Sequence, residues 1–155
     1  MPTVDAKTPQ RKPGIRIVGR TNRTVATGSA SHNSVEIVRS VRAGFPFQRL
    51  IDFQKSADLP WTELSRFVAI PRRTLERRRI AGRLRPDESE RVLRASRIFD
   101  AAAELFEGDI AAARNWLLKP QSTLGGESPI DFATTEVGAR EVENLIGRLE
   151  HGVFA

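Results

Sequence analysis

The sequence predicts an all-α fold. Apolar residues recur every three or four positions from Val35 to Leu149, and proline or glycine punctuates the stretches between them. No segment alternates as a confident strand does, and no internal repeat appears. The pattern divides the 155 residues into a mostly disordered basic tail (1–33), a helix-turn-helix module (34–97) and a small helical domain (98–155).

Residues 1–33 are rich in Thr, Ser, Gly, Pro and basic side chains, with one apolar cluster at Ile15-Arg16-Ile17-Val18. That cluster buries too little to offset the entropy of ordering the segment. A short strand over 15–18 is the one alternative. Asn33 or Ser34 then caps a helix through Arg42, with Val35, Val38 and Val41 on one face and Gly44 as its stop. A second helix fits Phe47 to Ala57, turning Phe47, Leu50, Ile51 and Phe53 inward. Leu59-Pro60 opens a third, Trp61 to Val68, carrying Leu64, Phe67 and Val68.

Pro71 interrupts this third helix, because the residue before a proline avoids helical dihedrals while proline suits a first helical turn. A short helix over 71–79 follows. Pro86-Asp87-Glu88 begins a long helix to Phe106, its carboxylates facing the positive end of the dipole. Its stripe is Val92, Ala95, Phe99, Ala103 and Phe106, widened by Leu93, Ile98, Ala102 and Leu105. Gly108 ends it. Asp109 caps a helix through Leu118, residues 121–127 form a loop, Ser128-Pro129 starts a short helix, and Thr135 caps the last. The expected core is Leu64, Phe67, Leu75, Phe99, Phe106, Trp116, Leu117, Leu145 and Leu149.

Charge is distributed unevenly. Residues 71–85 hold seven arginines against one acid, Glu76, while residues 98–155 hold four bases against ten acids. Such asymmetry predicts two surfaces with different partners, one of them polyanionic. There is no cysteine, no apolar run of membrane-spanning length and no secretory leader pattern, so a soluble cytoplasmic protein is expected.

Helix 61–68, a three-residue turn and the arginine-rich helix have the layout of a helix-turn-helix, whose second helix enters the major groove. With Leu75 anchored inward, Arg73 and Arg77 point outward, at about 100° per residue. Arg72 and Arg78 flank them, and Thr74 serves a phosphate or its own backbone. Guanidinium groups fork onto guanine edges and phosphates. Ile80 falls on the same outward face, which predicts that the helix ends or bends near Arg79. Two other uses of the arginines stay open: a solvated helix, or pairing with the acidic C-terminal half. Arg16, Arg20 and Arg23 could add an electrostatic arm.

The C-terminal third carries Asn115-Trp116-Leu117, Pro120, Leu124-Gly125-Gly126, Ser128-Pro129-Ile130-Asp131, Thr135, Gly138 and Val142, and closes on Gly152-Val153-Phe154. This string resembles the toxin-binding domain of Xre/MbcA/ParS-type antitoxins. Upstream, Thr74-Leu75-x-Arg77-Arg78 with Leu84, Glu88 and Arg91 resembles that family's helix-turn-helix and its link to the next helix. The resemblance covers residues 45–155 and implies a chain that binds promoter DNA and a RES-domain toxin, an enzyme degrading NAD+. It implies a homodimer or a larger toxin-bridged assembly. By analogy, Arg148, His151, Gly152, Val153 and Phe154 meet the toxin. Read on their own, Gly125 and Gly126 serve turn dihedrals, and no Lys-Ser/Thr makes them a phosphate loop.

Catalysis is not expected. Tyr and Cys are absent, and the two histidines, His32 and His151, lack metal-ligand spacing. No cofactor or metal is implied. The alternative from another class is a stand-alone dimeric helix-turn-helix regulator without a toxin, followed by a bare oligomerising scaffold.

Overall fold

Helices α1 (Ala30–Ala43), α2 (Phe47–Ala57), α3 (Trp61–Phe67) and α4 (Arg72–Ala81) lead into a 20-residue helix, α5 (Pro86–Leu105). Then come α6 (Ile110–Leu118), a 3-10 turn (Ser122–Leu124), α7 (Pro129–Phe132) and α8 (Glu136–Glu150). The computed structural model describes residues 30–152, and among them there is no strand. The all-α expectation holds. Of the expected tail (1–33), residues 1–29 lie outside the described residues, as do the possible strand at 15–18, the arginine arm, Val153 and Phe154, whereas 30–33 belong to α1 and so are helical. No described helix is long and apolar enough to cross a membrane.

Local chemistry sets the boundaries. Pro60 and Pro71 stand immediately before α3 and α4, and Pro86 occupies the first turn of α5. The Asp109 carboxylate accepts the Ala112 N–H at 3.0 Å, and the Thr135 hydroxyl accepts the Gly138 N–H at 3.0 Å. Both caps stand where the sequence puts them.

Two helices differ from expectation. α1 starts at Ala30, so Asn33 and Ser34 lie inside it rather than capping it. Its docked residues are Val41, buried, and Ile37, half-buried, whereas Val35 and Val38 are 49% and 46% exposed. A spacing of three drifts off one face: at about 100° per residue Val35 lies about 120° around from Val41. Ile37 and Val41, four apart, stay aligned. The second difference is α4, which does not stop at Arg79. It continues to Ala81, ends on Gly82 at φ 77°, and leaves Ile80 88% exposed.

The core is one continuous cluster, and the described residues from Ser31 to Gly152 belong to one compact unit. α5 runs through it, packing against α2, α6 and α8. Phe53 of α2 links α3 and α5, tilted on Phe67 at 6.3 Å and edge-on to Phe99 at 6.0 Å. Leu64, Phe67, Leu75, Phe99, Leu117 and Leu145 are buried as expected. Phe106, Trp116 and Leu149 are only half-buried, at the margin, where Phe106 and Trp116 pack at 6.4 Å.

A backbone clip closes the helix-turn-helix. Phe47 N–H donates to the Gly82 carbonyl (2.9 Å), and Leu84 N–H donates to the Phe45 carbonyl (2.8 Å). Gly44, at φ 80°, allows this approach: a Cβ there would sit 2.1 Å from the Leu84 carbonyl oxygen. The Ser89 hydroxyl extends the clip to α5, accepting Phe45 N–H and donating to the Arg85 carbonyl, both at 2.8 Å.

Candidate functional site

The turn between α3 and α4 is held from two sides. Ala69 takes the left-handed conformation (φ 51°), and the buried Ile70 follows it. Ser65 Oγ donates to the Ile70 carbonyl at 2.6 Å, and Arg91 of α5 donates to the Ala69 carbonyl at 2.7 Å. The angle between the helices is thus fixed by polar contacts from α3 and α5 as well as by Leu64, Phe67 and Leu75 beneath it.

On this frame Arg72, Arg73 and Arg77 are exposed, with Thr74 half-buried beside them. Arg77 reaches back toward the Thr74 hydroxyl at 3.4 Å, a weak contact, and Arg73 forms no ion pair among the described residues. Arg78 differs from its neighbours. Its Nε donates to both carboxylate oxygens of Glu88, at 2.8 and 3.1 Å, and it is largely covered. Glu88 also accepts the Arg85 N–H at 2.8 Å at the start of α5. Burial pushes the Glu88 carboxyl up, but the hydrogen bonds from Arg78 and Arg85 outweigh it and hold the group below the ordinary glutamate range. Arg78 therefore braces α4, and its outward reach is limited.

Among the described residues, the ion pairs of α4 are with Glu76 of its own helix and with Glu88, not with the acidic C-terminal half. That half is engaged by other arginines. Arg66 of α3 is paired with Asp131 of α7, which also accepts the Ser128 hydroxyl at 2.6 Å. Arg94 reaches Glu136 and the Thr134 carbonyl, both at 3.3 Å, and Arg97 meets Glu143 at 3.6 Å. Arg114 closes onto Asp58. For Asp131, too, burial raises the carboxyl, and the hydrogen bonds from Arg66 and Ser128 more than offset it. None of these contacts between distant segments is visible in helical spacing.

At the other end, Arg148 and His151 line a shallow groove with Glu143, Asn144 and Gly147, about 380 Å³ in volume. Arg148 is half-buried and His151 exposed. Gly152 takes φ 66° after the last turn of α8 and donates to the Leu149 carbonyl at 3.2 Å. The structure brings Arg148, His151 and Gly152 to one end of α8. Gly125 and Gly126, at φ 68° and 87°, form the turn of a loop closed by Gln121 N–H on the Glu127 carbonyl. Gly138 has a tighter reason: a Cβ would lie 1.7 Å from the Phe132 carbonyl oxygen.

Comparison with known proteins matches both parts. Residues 36–97 fit the antitoxin Xre-like helix-turn-helix domain, and residues 101–152 fit the antitoxin Xre/MbcA/ParS C-terminal toxin-binding domain. A protein named Antitoxin Xre from Yersinia enterocolitica is 45% identical, over 81% of this chain and 85% of its own length. Proteins of the same name from Photorhabdus laumondii and Pseudomonas putida are 34% and 32% identical. They align over 86% and 76% of this chain, and 89% and 72% of their own lengths. With both helical parts matching the family's two domain models and these relatives aligned over most of the chain, the chain belongs to the Xre family of antitoxins.

Proposed function

We propose that this chain neutralises a RES-domain, NAD-degrading toxin in the cytoplasm by covering its active site, and represses its own operon by binding promoter DNA. It catalyses nothing itself in this reading, and it works as a homodimer or a toxin-bridged assembly. The observation that carries the DNA half is the placement of Arg73 and Arg77. Both are exposed on the outward face of α4, while Leu75 on the opposite face is buried. Arg72 and Thr74 flank them toward the phosphates, and Arg78 contributes by stiffening the helix. The toxin half rests on the match of residues 101–152 to a toxin-binding domain. Arg148, His151 and Gly152, continued by Val153 and Phe154, form its proposed contact surface.

The charge of the rear supports this assignment less simply than its sum suggests. Asp131, Glu136 and Glu143 are taken up by Arg66, Arg94 and Arg97. Of the acids on α8, Glu141 and Glu150 are exposed and outside these ion pairs, and in this reading they face a pocket built for an anionic dinucleotide. The test is co-expression with the product of the neighbouring gene, scoring growth and cellular NAD, then co-purification. Rescue of both with a stable complex is expected. A harmless or non-interacting neighbour, beside intact specific DNA binding, would assign the chain to stand-alone regulators instead.

A further inference from the structure

Ile80 is the most exposed large apolar side chain among the described residues, at 88%, against 76% for Val137 and less for Val35 and Val38. Its position is more informative than its exposure. At about 100° per residue, Arg73, Arg77 and Ile80 fall within an arc of about 60°, opposite the buried Leu75. The helix runs unbroken through all three and ends one residue later, where Gly82 turns the chain back. Arg83 is then tied by its side chain to the Gly44 carbonyl at 2.5 Å, so the following segment leads away from the outward face of α4. The fold thus holds an isoleucine in water at the end of an arginine stripe.

We propose that Ile80 reads the methyl group of a thymine in the major groove. This rests on the DNA-binding reading of α4. Isoleucine neither donates nor accepts a hydrogen bond, and the thymine 5-methyl is the apolar group that a standard base pair presents on its major-groove edge. Ile80 lies about 10 Å along the helix axis from Arg73, at about 1.5 Å per residue. For Ile80 to reach a base edge together with Arg73, α4 must lie along the groove, about 12 Å wide, rather than enter it by its N-terminus alone. The two kinds of side chain then divide the reading. Arg73 and Arg77 fork onto guanines or phosphates, and Ile80 adds contact with a methyl group that offers a guanidinium no acceptor.

The experiment selects a binding site for the full chain from a pool of randomised duplexes. Each thymine of the selected duplex is then replaced singly by deoxyuridine, which lacks the methyl. Affinities at one fixed salt concentration are compared for the wild-type chain and Ile80→Ala, a substitution at an exposed position that leaves the core untouched. Loss of one buried methyl corresponds to about a fourfold weakening. The wild type is expected to weaken by that amount at one thymine of each half-site, and Ile80→Ala to bind thymine and deoxyuridine duplexes equally there. Methyl dependence that survives in Ile80→Ala, or no methyl dependence in the wild type, would overturn the proposal while leaving DNA binding intact. A wild-type chain that selects no site at all would overturn the DNA-binding reading together with this one.

Discussion

The Arg78 guanidinium donates to the Glu88 carboxylate at 2.8 Å and ties the middle of α4 to the first turn of α5. Glu88 simultaneously accepts the Arg85 N–H, so one buried carboxylate fixes both the orientation of α4 and the start of the helix behind it. Removing it by Glu88→Ala is expected to cost about 1–2 kcal/mol through the lost cap. It is also expected to weaken DNA binding without touching a DNA-facing side chain. Urea midpoints and promoter affinity of the same preparation check both effects.

The same carboxylate predicts a pH dependence. Its folded-state pKa lies below the unfolded value, so its stabilisation is fully present above the ordinary glutamate range. That stabilisation is lost as pH falls through the lowered folded value. Asp131 acts in the same direction. Urea midpoints followed from neutral pH into acid should fall in the wild type and fall less steeply in Glu88→Gln. Equal slopes would show that Glu88 does not contribute.

Ala69 holds a left-handed conformation at φ 51° that alanine adopts at a cost. Ala69→Gly relieves that strain and adds chain entropy to the unfolded state, and the first effect is the larger. A net gain of about 0.5–1 kcal/mol in urea denaturation is expected. A loss would mean that the half-buried Ala69 methyl contributes more by packing than its backbone loses by strain.

Two glycines of α8 should respond oppositely to alanine. Gly138→Ala places a Cβ 1.7 Å from the Phe132 carbonyl oxygen, forcing α7 and α8 apart. A loss of about 2–3 kcal/mol is expected. Gly147 has nothing within 4 Å of its added Cβ and normal helical dihedrals. Gly147→Ala should stabilise by about 0.5–1 kcal/mol. Thermal melts of the two variants side by side test the pair.

The helical frame was legible because its signals are local. Pro60, Pro71 and Pro86 mark helix starts, Asp109 and Thr135 are caps, and Leu64 and Phe67 repeat at helical spacing. What the sequence concealed depends on distance. Asp131 reads as a helix-start acid in a family-like string, yet it holds Arg66, 65 residues away. Arg91 reads as part of a link between helices, yet it secures the Ala69 carbonyl of the turn. Gly138 appears as one residue of a motif, and its cause is a carbonyl that only the packed structure brings near. At the site, periodicity correctly sent Arg73 and Arg77 outward, but it could not show that Arg78 is engaged by Glu88. Nor could it show that α4 continues past Arg79, since Gly82, three residues on, is what ends it.

The bridge between Arg66 and Asp131 is exposed enough that its coupling should be small. A double-mutant cycle of Arg66→Ala and Asp131→Ala is expected to return at most about 1 kcal/mol. A markedly larger value would indicate that α3 and α7 behave as one rigid polar unit.

In the proposed function one chain carries two separate binding surfaces, one on α4 and one at the end of α8. The most direct measurement compares Arg73→Ala/Arg77→Ala with a chain lacking residues 151–155, each assayed for promoter binding and for toxin binding. The double substitution is expected to lose promoter affinity with toxin binding nearly unchanged, and the trimmed chain to do the reverse. Loss of both activities in either variant would contradict it.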